Sequence, residues 1–326
     1  MDKIDNRDPY FDNAKFLLIF LVVFGHVISP LKHDSQLLFA LYTAIYLFHM
    51  PGFALMSGYF AKKYQQKGYI LSITKKLLLP YLLFQAIYSV YYYMVGKETT
   101  LTFNFFQPHW TLWFLLSLFC WHLLLFLVGR FKWWGVLASI IFGIAIGYID
   151  VIGQSLSLSR TFVFFPIFLL GFCLQRDHFN KIRNQARWKW GGAILLLTIL
   201  TAFYFVFPEE GIQWLFGSYS YGSMGVSGWE AGAIRLTQYG LTLIATISFL
   251  ALVPNQPFKL TVIGARTMYV YLLHGFVIQT VKAFIPHKQL DLLSNHLLLL
   301  FVASIGICLV FGHQGTKRLT RPIILN

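Results

Sequence analysis

Tyr10-Phe-Asp-Asn-Ala-Lys15-Phe-Leu-Leu-Ile-Phe-Leu-Val-Val-Phe-Gly-His26 decides the fold class: it is an apolar run of bilayer-spanning character that opens on a lysine and carries a histidine to depth. Burying an imidazole in hydrocarbon is costly, and function is the usual reason to bear the cost. Lys15 and His26 are eleven residues apart. At 100° per residue they lie within about 20° of one helix face, separated by roughly 16 Å. With Lys15 at the inner boundary, His26 sits near mid-membrane, and Asp12, three residues before Lys15, is close enough to pair with it.

The rest of the chain continues the theme. Of its 326 residues 57% are hydrophobic, 18% aromatic and only 12% charged, outside the range of an ordinary soluble domain. Apolar runs of spanning length predict ten helices, over 14–31, 37–60, 77–95, 110–129, 133–149, 162–174, 190–207, 233–253, 262–285 and 296–311. The expected fold is all-α, a polytopic membrane bundle of about ten transmembrane helices with both termini cytoplasmic. The first run lacks a small-residue cleavage site and reads as a retained anchor behind a short polar lead, residues 1–7.

The formal net charge of +14 would suggest nucleic acid in a soluble protein, but here placement matters more than the sum. With the N-terminus inside, every Lys and Arg falls on inner segments except Lys32, Lys97, Arg160, Arg235, Lys282 and Lys288, as the positive-inside rule requires. Glu98, Glu209, Glu210 and Glu230 lie outside. The partner implied by this charge is the lipid bilayer and not nucleic acid. Cys120, Cys173 and Cys308 are scattered without metal-ligand spacing, so neither a metal site nor a disulfide framework follows. No internal repeat or soluble module is visible, and 1–326 reads as a single domain with nothing fused to it.

Three histidines fall well inside spans: His26, His49 and His274. Each also has a structural reading, as a side chain tied to a neighbouring helix by one hydrogen bond. His122 favours that structural reading. Phe48-His-Met-Pro51-Gly-Phe53 puts proline and glycine in mid-span, which reads as an interruption, beside a cavity or as a packing kink. Lys75-Lys76 before Leu77-Leu-Leu-Pro80 makes a basic inner mouth able to attract an anionic cytosolic ligand, or serves topology alone. Arg266, eight residues before His274, poses the same choice. Phosphate loops, nucleophile elbows and metalloprotease signatures are absent from the sequence. Histidine is therefore the strongest candidate base, its ordinary pKa near 6.5 suiting proton transfer from a hydroxyl. The outer segment 208–232 holds Trp214, Tyr219, Tyr221, Trp229 and Glu230, an aromatic and acidic set that fits a sugar-binding surface or an interfacial belt.

Phe11-Asp-Asn-Ala-Lys15 with Val22-Val-Phe-Gly-His26, Phe48-His-Met-Pro51 with Ser57-Gly-Tyr59, and Leu77-Leu-Leu-Pro-Tyr81 together resemble the acyltransferase 3 family. Leu112-Trp-Phe-Leu115, Phe165-Pro-Ile-Phe-Leu-Leu-Gly171 and Ile263-Gly-Ala-Arg-Thr-Met-Tyr-Val-Tyr-Leu-Leu-His274 extend the likeness in order along nearly the whole chain. The Asp-x-x-Lys start and His-Met-Pro resemble the fucose O-acetylase-like branch, which includes exopolysaccharide-modifying enzymes.

This resemblance implies a multi-pass cell-membrane O-acyltransferase that takes an acyl group from cytosolic acyl-CoA, acetyl-CoA being the commonest donor, and places it on a saccharide hydroxyl at the outer side. The family's basic-x10-His pair maps onto Lys15 and His26, and its paired arginines map onto Lys75 and Lys76. Lysine cannot repeat arginine's bidentate grip on phosphate. The expected roles are His26 as general base or transient acyl carrier, with Lys15 and Asp12 beside it, and Lys15, Lys75, Lys76 and Arg266 on the CoA phosphates. His49 and His274 orient His26 or polarise the thioester carbonyl, and with Trp113, Trp229 and Glu230 they form the expected substrate contacts. Proteins of a polysaccharide pathway are expected partners. Two other classes stay open: a polysaccharide or solute transporter, and a histidine-based sensor without chemistry.

Overall fold

Every apolar run read from the sequence is helical, and among the described residues there is no strand. The structure is a computed structural model that describes residues 7–152, 157–321 and 324; residues 1–6 of the polar lead lie outside them. In chain order the helices are α1 (Pro9–Ile28), α2 (Gln36–Phe60), α3 (Tyr69–Ile73), α4 (Leu79–Met94), α5 (Trp113–Val128), α6 (Lys132–Ala145), α7 (Leu158–Cys173) and α8 (Arg176–Asn184). They continue as α9 (Ala186–Phe205), α10 (Ile212–Phe216), α11 (Trp229–Leu252), α12 (Thr261–Gly264), α13 (Thr267–Phe284), α14 (His287–Asp291), α15 (Leu297–Gly312) and α16 (Gln314–Thr320).

Among the described residues six helical runs are long and apolar enough to cross a membrane, or eight if two bent helix pairs each count as one span. One of the six, Trp113–Tyr148, holds two of the runs predicted separately; only the short turn Gly129–Phe131 parts α5 from α6. Large apolar side chains such as Trp134, Ile141, Trp190, Leu197 and Leu298 face outward, a surface that suits lipid and not water.

Two local readings are corrected. The second span is not interrupted: α2 runs through Pro51 as one helix, which a membrane helix tolerates when its surroundings take up the carbonyl that proline leaves unbonded. The third span begins earlier than 77, at Tyr69, because a π-helical turn over Thr74–Leu78 joins α3 to α4. Pro80 offers no N–H to the carbonyl four residues back, and the wider turn before it accommodates that loss.

The chain divides into two compact units. In the first, residues 1–50, 176–207 and 244–321, α1 packs against α12, α13 and α15. In the second, built mainly from 51–175 and 208–243, α6 and α5 pack on α7. There Gly171 lies so close to α2 that a Cβ on it would stand 1.9 Å from the Leu55 carbonyl oxygen, so only glycine permits this approach of backbones.

Candidate functional site

The N-terminal end of α1 gathers charge in the first unit. Asp8 caps the helix, accepting from the Tyr10 N–H at 3.1 Å, with Pro9 preset for the first turn. The same carboxylate accepts from Arg183 at 2.9 Å and lies 3.7 Å from Arg176. One turn on, the buried Asp12 accepts from Lys15 at 2.7 Å and from Arg7 at 3.0 Å. Cations outnumber carboxylates in this cluster, so it keeps a positive excess.

α1 is held there by specific contacts. The Asn13 amide donates to the carbonyls of Pro254 and Gln256 at 2.8 and 2.9 Å, and its oxygen accepts from Thr261 at 2.5 Å. A Cβ on Gly264 would fall 1.9 Å from the Asp12 carbonyl oxygen, which explains the glycine of Ile263-Gly-Ala-Arg266. Arg266 itself donates to the Gly312 carbonyl at 3.2 Å. Lys75 and Lys76 belong to the second unit, exposed on its π-helical turn.

Farther along α1, three of the first unit's histidines, His26, His49 and His274, cluster beside Tyr46. His26 Nδ1 and the Tyr46 hydroxyl are hydrogen-bonded at 3.1 Å. The His274 ring stacks on His26 with centroids 5.5 Å apart. Tyr46 sets its ring edge-on to His49 at 4.8 Å and stacks on Tyr42 at 4.1 Å. His49 and His274 are 2% and 0% exposed, whereas His26 keeps an accessible face.

The hydrogen bonds fix which ring nitrogens are basic. His49 Nδ1 sits 2.7 Å from the Ile45 carbonyl and His274 Nδ1 2.9 Å from that of Val270. A carbonyl only accepts, so both Nδ1 atoms carry the proton and each neutral ring has its lone pair on Nε2. His26 faces a hydroxyl that can donate or accept, so Tyr46 governs its tautomer. Tyr46 is absent from the residues picked out by sequence. Its position three residues before His49, on one helix face, is the signal that would have found it.

The remaining candidates lie in the second unit. Trp113, at the start of α5, is covered by the Arg160 guanidinium at 4.8 Å and flanked by Phe164 at 5.6 Å. Trp229 is 83% exposed at the start of α11, with Glu230 exposed beside it. Trp214 and Tyr221 instead stack on each other with centroids 5.3 Å apart, and the buried Arg235 guanidinium lies 5.4 and 5.8 Å from their rings. The His122 Nδ1 is bonded to the Tyr69 hydroxyl at 2.6 Å, a structural tie between α3 and α5. Among the described residues no group of three or more His, Cys, Asp or Glu is placed to hold a metal ion.

Comparison with known proteins adds a family. The acyltransferase 3 model, described as an acyltransferase domain, matches residues 8–313. The nodulation protein NolL of Mesorhizobium japonicum is 27% identical over 215 residues, 61% of this chain and 56% of that protein. NolL of Sinorhizobium fredii is 45% identical over 60 residues, 18% of this chain and 16% of its own length. The chain thus spans little more than half the length of the first of these relatives. No solved structure matches it.

Proposed function

Given that this chain belongs to the acyltransferase 3 family, we propose that it transfers an acetyl or other short acyl group from cytosolic acyl-CoA to a saccharide hydroxyl at the outer side of the cell membrane. The proposed topology has ten spans with both termini inside, in one transmembrane domain that works with proteins of a polysaccharide pathway. The observation that carries this reading is the histidine cluster: His26 alone among the three is accessible, and its Nδ1 is bonded to a hydroxyl.

In the proposed reaction Tyr46 accepts from His26 Nδ1–H, which leaves Nε2 basic. Nε2 takes the proton of the acceptor hydroxyl as its oxygen attacks the thioester carbonyl. The carbon–sulfur bond breaks, and the CoA thiolate recovers the proton. Alternatively, Nε2 attacks the thioester itself and carries the acyl group briefly before the hydroxyl takes it. His49 and His274 are left the orienting role, since each spends its Nδ1–H on a backbone carbonyl and has no second N–H with which to polarise the thioester.

The cationic excess around Asp8 and Asp12 fits the phosphates of CoA, with Lys15 of that cluster and Arg266 of the same unit as candidate contacts; Lys75 and Lys76, in the second unit, are proposed for the same role on the family resemblance alone. Asp12 holds Lys15 by a 2.7 Å ion pair, so its role is to position the ammonium. Trp113, Trp229 and Glu230 remain the proposed acceptor contacts of the second unit.

The test is acetyl-CoA binding and slow thioester cleavage by the purified chain, compared with His26→Ala and Lys15→Ala. Cleavage should vanish in His26→Ala while the protein stays folded, and donor affinity should fall in Lys15→Ala. A chain that binds no CoA in any form would instead favour transport.

A further inference from the structure

The second unit contains a pocket of about 550 Å³, within the roughly 300–1,000 Å³ typical of small-molecule sites. Its walls come from the loop after α4, the start of α7 and the loop after α10, segments that the proposed topology puts outside. Tyr92, Lys97, His109, Trp110, Arg160 and Tyr219 line it. We propose that this pocket binds a saccharide unit carrying an anionic group, a carboxylate or a phosphate, with Lys97 and Arg160 reading the charge. The inference rests on the acyl-transfer reading for the biological role of that saccharide, but its binding chemistry stands on the pocket.

The pocket is built before any ligand arrives. The fully buried Gln85 donates to the carbonyls of Asn104 and Gln107 at 2.7 and 2.8 Å and accepts from the His109 N–H at 2.9 Å. Tyr81 donates to the Phe105 carbonyl at 2.7 Å, and Ser89 bonds His109 Nε2 at 3.0 Å. On the other wall Ser159 donates to the Gly217 carbonyl at 2.8 Å and Arg160 Nε to that of Phe216 at 3.2 Å. Of the three non-glycine residues with positive φ among the described residues, Trp110 at 42° and Ser157 at 51° both line this pocket. Such backbone is costly and collects at ligand clamps.

Polar side chains, the Glu98 carboxylate among them, and aromatic rings both line the space, which is what a sugar's hydroxyls and C–H faces require. The Tyr92 side chain is 2% exposed and its hydroxyl has no hydrogen-bond partner among the described residues, a group that a ligand hydroxyl would satisfy. The Lys97 ammonium lies 3.9 Å from the centre of the Tyr92 ring. Partial burial pulls its pKa below the ordinary lysine value despite Glu98 next to it. An anion in the pocket would repay that desolvation.

The experiment measures binding of three probes to the full purified chain: maltose as a neutral sugar, glucuronosyl-glucose as a carboxylate and glucose 1-phosphate as a phosphate. One or both charged probes should bind at least about tenfold more tightly than maltose, and Lys97→Gln should erase about tenfold of that preference, as expected for a charge-assisted hydrogen bond. The tighter of the two charged probes identifies the anion. Arg160→Lys, which keeps the charge but not the planar fork, should reduce binding less than Lys97→Gln does for a carboxylate held by charge alone. Equal binding of all three probes, or a preference unchanged in Lys97→Gln, overturns the proposal. Binding of a charged probe by a chain that never cleaves acetyl-CoA would retain the pocket and defeat the acyl-transfer reading, so the two failures are distinguishable.

Discussion

Replacing Tyr46 by Phe removes one oxygen, 3.1 Å from His26 Nδ1, and leaves the ring that stacks on Tyr42 and abuts His49. If His26 is the base, its ring becomes an imidazolium in the transition state, and Tyr46 then accepts from a charged N–H. Hydrogen bonds to charged groups contribute about 1.5–3 kcal/mol, which corresponds to a loss of roughly 10- to 150-fold in kcat at 1.36 kcal/mol per decade. Ground-state binding of the donor does not use this bond, so its KM should stay within about twofold. The assay is steady-state thioester cleavage or acyl transfer across a range of acetyl-CoA concentrations, with a melting curve to establish folding. His26→Ala should be worse than Tyr46→Phe, since general acid–base catalysis is worth about 10²–10⁴-fold. A Tyr46→Phe protein with unchanged or increased kcat would refute the reasoning. In that case the hydroxyl donates to Nδ1 in the resting protein and keeps the proton on Nε2, where it blocks the base.

Asp12→Asn should lower stability by about 2 kcal/mol, because it removes the charge from two charge-assisted bonds at a buried carboxylate, read as the shift in melting temperature in detergent. Gly264→Val should prevent recovery of folded protein, since its Cβ would fall 1.9 Å from the Asp12 carbonyl oxygen, as size-exclusion profiles would report. Gln85→Leu deletes three hydrogen bonds to the 104–109 loop and should raise amide hydrogen exchange there, with the exchange of α7 unaltered. Burial, more than the neighbouring Lys97, holds the His109 pKa below the ordinary histidine value, while Glu98 opposes the shift. The unfolded chain then binds more protons than the folded one in the window below about pH 6.5. The stability this residue contributes is full above that pH and falls as pH drops toward the folded pKa. His109→Gln should therefore flatten the acid side of the melting-temperature profile, and parallel profiles for the two proteins would contradict the assignment.

The all-helical fold was legible because spanning runs need no tertiary knowledge: hydrocarbon demands about twenty apolar residues that satisfy their own backbone, and the sequence supplies them repeatedly. Helix starts were less legible. Ser72, Thr74 and the Lys75-Lys76 pair interrupt the apolar run before Leu77, so the span reads as starting there, whereas the chain is already helical from Tyr69 through the π-helical turn before Pro80. Near the site, the Asp12–Lys15 contact followed from helical spacing alone, and the structure has it at 2.7 Å. Arg183 on Asp8 could not be foreseen, since it joins residues 175 positions apart. The pocket in the second unit was hidden for a different reason. Much of its lining comes from irregular loops whose side chains have no periodicity to read, and its rigidity comes from Tyr81, Gln85 and Ser89, polar groups set in an otherwise apolar helix.

His26, His49 and His274 show why depth in the membrane is a weaker guide than what holds each ring. His49 and His274 each give Nδ1–H to the carbonyl four residues back in their own helices. That fixes the tautomer a base needs, with Nε2 unprotonated. Yet both are sealed from any approaching hydroxyl. His26 has the accessible face, and its Nδ1 meets the Tyr46 hydroxyl from the neighbouring helix, which can donate or accept and so takes part in the choice of tautomer. Basic tautomer and access thus come together only at His26, and only while the tyrosine accepts. A displacement of α2 relative to α1 large enough to break that 3.1 Å contact would leave the fold intact and the imidazole without its orienting partner. Chemistry on α1 would then depend on the seating of α2, whose own residues need not touch the acyl group.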